Sequence, residues 1–172
     1  PGILLSSVVK RYVDFYGVSC GEKNILITNN DSAYETAISL IQKGIYVEAI
    51  IDNREEVDSK LVYEIEKNNI KIYKGFTIVN TSGYKRINKV YIMKLSKDGQ
   101  KVVGPKISLS CDCLGISGGW TPAVHLFTQS GGKLKFREED HVFIPNTYPS
   151  DQLSIGACNG DLTLDEILNN VP

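Results

Sequence analysis

Two stretches of this chain have the residue types and spacing that nucleotide binding uses. In the first, Asn24-Ile25-Leu26-Ile27-Thr28 leads through Asn29-Asn30-Asp31-Ser32-Ala33-Tyr34 into a helical pattern. A short apolar strand turning into a helix is the opening of a dinucleotide-binding unit, where backbone N–H groups at the helix start meet a pyrophosphate. Such a unit also places an acid about twenty residues further on for the ribose hydroxyls, and Asp52 fills that role. The glycines that let the backbone approach a phosphate are missing. Asn29, Asn30, Asp31 and Ser32 stand in their place, and the Asp31 carboxylate repels a phosphate. The stretch reads as a retained scaffold whose nucleotide site is lost.

The second stretch is Ile155-Gly156-Ala157-Cys158-Asn159-Gly160-Asp161-Leu162, an apolar strand end followed by small residues and a Gly-Asp pair before a helix. In large flavoproteins this shape lets backbone amides at the helix start meet a phosphate or a flavin, while the acid accepts from ribitol or ribose. A plain strand-to-helix turn capped by Asp161 is the competing reading. Upstream, Ile116-Ser117-Gly118-Gly119-Trp120-Thr121-Pro122 has a Gly pair that permits close backbone approach, with Trp120 and Pro122 read as packing residues.

Other reactive side chains lack the company that chemistry needs. His125 and His141 have no Ser, Cys or Asp in a nucleophile motif, so no catalytic residue is assigned. Cys20, Cys111, Cys113 and Cys158 include no C-x-x-C pair. Cys111-Asp112-Cys113 would put two thiols on one face of an extended chain. No metal site is expected from them, and buried reduced thiols of a cytoplasmic protein are the reading. Glu138-Glu139-Asp140 reads as a solvated turn, and Lys133 to Arg137 as a strand too small for a nucleic-acid surface.

The 19 basic and 20 acidic residues leave a net charge of -1 with no run of one sign, which argues against nucleic-acid and membrane partners. No apolar run is long enough for a membrane helix, and no charged-then-apolar leader opens the chain. A length of 172 residues suits one domain, or one domain with part of another. The start at Pro1 without Met, with a Gly-Asp stretch whose own opening is absent, reads as a piece of a larger nucleotide-binding enzyme.

The elements that must hold these residues follow from periodicity. Leu4, Leu5, Val8, Val9, Tyr12 and Tyr16 recur at helical spacing, which predicts a helix over 3–16 ended by Gly17. Asn24 to Thr28 and Ile45 to Ile51 read as buried strands joined by a helix to about Lys43, with Asp31 or Ser32 placed as its cap and Gly44 closing it. That is a right-handed β-α-β unit. A helix over 59–68 and a strand over 70–73 continue it. Thr77 to Asn80, Arg86 to Leu95 and Lys101 to Leu109, parted by Ser82-Gly83 and Asp98-Gly99, predict a three-stranded antiparallel meander. Asp112 to Ile116 is a last core strand, residues 129–132 and 145–149 are loops, and Leu164 to Asn170 is a terminal helix. The fold class is therefore α/β: a Rossmann-like β-α-β domain with a meander, plus a C-terminal partial segment of a second nucleotide-binding domain. The expected division is a helix and linker over 1–21, a degenerate dinucleotide-type domain over 22–109, and a returning segment over 110–172.

Several of these motifs together resemble the alpha subunit of heterotetrameric sarcosine oxidase over essentially the whole chain. They are Pro1-Gly2-Ile3-Leu4-Leu5 with Arg11-Tyr12 and Tyr16-Gly17-Val18, then Thr28 to Tyr34, and Ser117-Gly118-Gly119-Trp120-Thr121-Pro122-Ala123-Val124-His125-Leu126 followed by Gln129 to Leu134. The resemblance implies a disulfide-reductase-like layout, in which one nucleotide-type domain is inserted into another whose Gly-rich opening lies upstream of Pro1. It implies noncovalent NAD, with Ala157, Leu162 and Leu164 as contacts and Gly156, Gly160 and Asp161 beside them. It further implies FAD and FMN elsewhere in a complex with beta, gamma and delta subunits, and tetrahydrofolate as co-substrate. A flavin-dependent amine, proline or opine dehydrogenase subunit with FAD in the same place is the alternative. A freestanding module with a ligand at Asn29 to Ser32 is a third reading.

Overall fold

The computed structural model describes residues 1–57, 59–149 and 151–170. By compactness the chain forms two units, Pro1–Gly119 and Trp120–Pro172; the last two residues of the second lie outside the described ones.

The first unit is built on a five-stranded parallel sheet. Its strands are β1 (Ile3–Leu5), β2 (Asn24–Thr28), β3 (Val47–Asp52), β4 (Lys71–Lys74) and a strand that arrives late in the chain, β8 (Cys113–Ser117). The spatial order is β1-β8-β2-β3-β4. Three helices, α1 (Ser6–Tyr16), α2 (Ser32–Gln42) and α3 (Lys60–Lys67), cover one face. An antiparallel meander of β5 (Phe76–Gly83), β6 (Ile87–Leu95) and β7 (Val102–Ser110) covers the other.

Strand alternation divides the core in two. Leu26 and Ile50 pack with Val9, Val13, Ala37, Leu40 and Ile65 on the helical side. Ile25, Ile51 and Leu114 pack with Ile87, Val90 and Ile92 on the meander side. A parallel sheet covered on both faces explains why Ile25-Leu26-Ile27 and Ala49-Ile50-Ile51 are continuous apolar runs rather than alternating ones. Gly17 and Gly44 adopt left-handed φ after α1 and α2, as expected.

The predicted helix over 3–16 is shorter, because Ile3–Leu5 splits off as β1. Ile3 pairs with Leu114 and Leu5 with Ile116. Apolar spacing fits either state here; the open edge of β8 decides it, with the Leu114 N–H donating to the Gly2 carbonyl at 2.7 Å. Gly2 has φ 92°, and a Cβ there would lie 2.6 Å from the Asp112 carbonyl oxygen, so only glycine admits this close approach.

Compactness divides the chain after Gly119 rather than near Ser110, because β8 lies inside the same sheet as β2 and β3. Residues 3–16 belong to that layered unit as well.

The two thiols of Cys111-Asp112-Cys113 do not share a face. Cys111 joins the meander-side cluster and Cys113 the helix-side cluster. Asp112 turns the chain between them, and its carboxylate accepts from the N–H groups of Glu22 and Lys23 at 3.0 and 2.8 Å.

The second unit holds α4 (His125–Gln129), an antiparallel hairpin of β9 (Lys133–Arg137) and β10 (Val142–Thr147), a 3-10 turn (Gly156–Asn159) and α5 (Leu164–Asn169). The hairpin extends through Pro145 to Thr147, which shortens the expected loop at 145–149. Its own core is small: Phe127, Val142 and Ile144, with Pro122 and Pro145, are the buried apolar residues among those described. Among the described residues no helix is long and apolar enough to cross a membrane.

Burial pushes the Cys111 thiol up to about 11 and the Cys113 thiol up to about 12, from an ordinary 9.0. Both stay protonated in the folded chain where the unfolded chain has ionised. Their contribution is complete below pH 9 and is lost as pH rises toward those values. The denaturation midpoint is expected to fall between about pH 8.5 and about pH 10.5 more steeply in the natural chain than in the Cys111→Ala/Cys113→Ala variant. Urea unfolding at stepped pH checks this; equal slopes would count against it.

Candidate functional site

The C-terminal ends of β8, β2 and β3 stand side by side, with Thr28 in register with Ser117 on one side and Asp52 on the other. In an open parallel sheet this end is where ligands bind. A cleft of about 180 Å³ opens there, lined by Ile27, Asn29, Asn53 and Ile116 among others.

The turn after β2 is filled by its own side chains. Thr28 Oγ1 donates to the Asn30 carbonyl at 2.6 Å and accepts from the Asn30 N–H at 3.0 Å. Asn30 Oδ1 accepts from the Ser32 N–H at 3.0 Å and from Ser32 Oγ at 2.6 Å. The Ser32 and Ser117 hydroxyls meet at 2.7 Å. Asn29 Nδ2 donates to the Gly118 carbonyl at 3.1 Å. The α2 start is thus satisfied by Asn30, not by Asp31 or Ser32 as side-chain caps.

Asp31 is drawn away by Arg54, whose Nη2 donates to its Oδ1 at 2.8 Å. The same guanidinium grips Asp52 with Nε to Oδ1 at 3.1 Å and Nη2 to Oδ2 at 2.8 Å. The Arg54 N–H adds a third bond to Asp52 at 2.9 Å, and Tyr34 Oη a fourth at 2.8 Å. Asp52 is fully buried, so all of its partners come from the protein. The hydrogen bond to Asp52 leads the causes that hold the Arg54 guanidinium charged well above its usual range. Burial, then the Asp52 bond, pushes the Tyr34 phenol up. Asp52, expected to face a ribose, is therefore turned into the protein and held by its own chain. Sequence reading missed Arg54 and Tyr34. The signal was Asp52-Asn53-Arg54, an acid and a guanidinium two residues apart at a strand end.

In the second unit Gly156, Gly160 and Asp161 are buried, while Ala157, Leu162 and Leu164 are exposed. No strand leads into Gly156 among the described residues; the extended Ile155 enters the 3-10 turn directly. The Asp161 N–H donates to the Gly156 carbonyl at 3.2 Å, closing the stretch on itself. Gly160 has φ 92°, and a Cβ there would meet Ile144 at 2.8 Å, which requires glycine. Asp161 accepts from Asn159 Nδ2 at 3.1 Å and Asn170 Nδ2 at 2.8 Å. An ionised carboxylate has about four acceptor sites, so its remaining lone pairs fit hydroxyl donors such as those of a ribose.

The cap of α5 is Thr163, paired with Glu166 in a capping box, and not Asp161. Glu166 Oε2 accepts from the Leu162 and Thr163 N–H groups at 3.0 and 2.9 Å, so an acid already holds the amides that a phosphate would use.

His125 and His141 are exposed. Pro122 is buried, as a packing residue should be, but Trp120 is 58% exposed.

The layered sheet-and-meander unit followed by a hairpin segment is the fold of the disulfide-reductase-type flavoproteins. The HOCl-induced flavoprotein disulfide reductase of Escherichia coli matches 97% of this chain and 36% of its own, with TM-score 0.64 and 15% identity. T. acidophilum thioredoxin reductase matches 93% of this chain and 54% of its own, with TM-score 0.58 and 19% identity. L-proline dehydrogenase from P. horikoshii matches 85% and 22%, with TM-score 0.54 and 18% identity.

In sequence the chain is a homologue of one part of the sarcosine oxidase alpha subunit. It is 32% identical over 162 residues to that of Corynebacterium sp. strain P-1 and 30% over 160 residues to that of strain U-96, each alignment covering 93% of this chain. The alpha subunit of Rhizobium meliloti is 25% identical over 144 residues. The chain spans 16% of the length of the two Corynebacterium relatives. No protein-family model matches it.

Removing the buried Asp52 carboxylate leaves Arg54 and Tyr34 without their shared partner. Asp52→Ala is expected to destabilise the first unit by about 3–5 kcal/mol, and Tyr34→Phe by about 1.5–3 kcal/mol. Denaturant unfolding followed by far-UV circular dichroism measures both. An Asp52→Ala cost near zero would show the anion to be dispensable.

Proposed function

We propose that this chain is a segment of the alpha subunit of a sarcosine oxidase-type oxidoreductase. The observation that carries the reading is the relationship to sarcosine oxidase alpha subunits along 93% of the chain. In this reading the whole complex oxidatively demethylates sarcosine to glycine, passes the one-carbon unit to tetrahydrofolate and yields hydrogen peroxide. Beta, gamma and delta subunits complete it, FAD and FMN lie elsewhere in it, and it works in the cytoplasm. The segment contributes noncovalent NAD binding and subunit architecture, and no catalytic residue.

The cofactor is assigned to the second unit, as part of a first nucleotide domain to which the segment after Gly119 returns. Gly156, Ala157, Gly160, Asp161, Leu162 and Leu164 would hold it. The two glycines and Ala157 keep the backbone bare, Asp161 accepts from ribose hydroxyls, and Leu162 and Leu164 offer apolar surface. When bound, NAD would supply a redox-active nicotinamide; in this segment the chain's own residues only bind and orient. The fit is better for the ribose than for the phosphates, because Glu166 already occupies the amides at the start of α5.

A second reading places FAD at the same residues, in a subunit of a flavin-dependent amine, proline or opine dehydrogenase. The fold likeness to the P. horikoshii L-proline dehydrogenase favours it.

Mass spectrometry of the nucleotide released on denaturing the full-length protein separates the two. NAD is the expected product. FAD from this subunit would move the assignment to the second reading, and no nucleotide at all would sink both. Asp161→Ala is expected to weaken retention by about 10–100-fold, the worth of hydrogen bonds to a charged acceptor. Asp161→Asn keeps the shape of the turn and tests the charge alone.

A further inference from the structure

We propose that the first unit is a self-occupied dinucleotide fold. Arg54, held between Asp31 and Asp52, and the Asn30–Ser32–Ser117 knot close the crevice at the ends of β8, β2 and β3, so this unit takes no nicotinamide or flavin nucleotide. The inference is independent of which cofactor the second unit holds.

A dinucleotide needs three things at this end of a parallel sheet: free backbone N–H groups at the helix start, room for the backbone to approach a pyrophosphate, and an acid free to accept from ribose. The N–H of Asn29 is bound to the Ser117 carbonyl, that of Asn30 to Thr28 Oγ1, and that of Ser32 to Asn30 Oδ1. Side chains of Asn29, Asn30 and Ser32 fill the space that glycines leave open. Both oxygens of Asp52 are bound within the protein, and the residue is fully buried.

Charge points the same way. Arg54 is the kind of residue that pairs with a 2′-phosphate in such folds. Here two carboxylates share it, at 2.8 Å each, and the pairs leave a surplus negative charge where the phosphates would lie. Glu55, the next residue, adds another acid and is paired with Lys94 at 3.2 Å. Size agrees too. The cleft of about 180 Å³ is below the roughly 300–1,000 Å³ of ordinary ligand sites.

What the closed crevice does instead is fasten chain segments together. Asn29 and Asn30 reach across to Ser117 and Gly118, so the end of β8 is tied to the turn that starts α2. Arg54 ties that same turn to the end of β3.

Photolabelling of the full-length protein with 8-azido-NAD and 8-azido-ATP, followed by peptide mapping, tests the closure. No label is expected on peptides covering 24–34 or 50–57. Label confined to 155–165 would support this inference together with the proposed cofactor site; saturable label on 24–34 or 50–57 would overturn it. Hydrogen exchange tests the fastening. Arg54→Ala is expected to speed amide exchange over 24–34 and 47–54 by about a hundredfold, with Arg54→Lys recovering part of that protection. Unchanged exchange in Arg54→Ala would overturn it as well.

Discussion

A carboxylate with no access to water sits at the end of β3, and its surroundings are arranged to bond both of its oxygens. A buried carboxylate without partners is costly, and every partner of Asp52 is supplied by the protein. Arg54 offers a two-pronged guanidinium, the Arg54 N–H a backbone donor, and Tyr34 a phenol from α2. The arrangement commits α2, β3 and the turn before α2 to one geometry. Asp31 is then pulled from its place as a helix cap, which leaves Asn30 to satisfy the α2 start. Asn30 in turn brings in Ser32 and Ser117. One buried carboxylate thus stands at the centre of the polar lattice at this end of the sheet.

The two units differ in how they reach stability. The first surrounds its sheet with apolar residues on both faces and can bury a real core. The second relies on a hairpin, glycines with positive φ at 131, 156 and 160, and a capped short helix, with little buried apolar surface of its own. Its Gly-Asp turn is shaped by local hydrogen bonds: Arg137 donates to the Gly160 carbonyl at 3.0 Å, and Asn159 and Asn170 orient Asp161.

Much of the first unit was legible because its signals are local. Asn24–Thr28, the helix after it, the second strand and the meander all follow from apolar runs and turn pairs. The strand Ile3–Leu5 was hidden by a helical apolar period, and only a partner far along the chain settles its state. Cys111 and Cys113 appeared to share a face because Asp112 looked like part of a strand. Its bonds to the Glu22 and Lys23 amides turn the chain and send the thiols to opposite cores. At the crevice, the side chains of Asn29, Asn30 and Ser32 stand where glycines would leave the backbone bare, as the sequence shows. The Asp52–Arg54 spacing carried a local signal, whereas Tyr34, 18 residues upstream, reaches Asp52 only in three dimensions. The α5 cap went to Thr163 instead of Asp161 for a legible reason, since Thr163 and Glu166 have capping-box spacing.

The position of β8 has a consequence for how the molecule is made. β1 and β2 do not pair with each other; each pairs with β8, which is translated last of the five. A chain emerging from the ribosome begins with its N-terminal end. Until Ser117 has left the exit tunnel, β1 and β2 present unpaired backbone edges toward an empty slot between them. The meander and the β2-β3-β4 part of the sheet, whose strands pair with one another, can assemble before that moment, whereas β1 must wait for β8. From the emergence of β2 until that of β8, two apolar strands are open to the wrong partner, and the arrival of one five-residue strand closes both facing edges together.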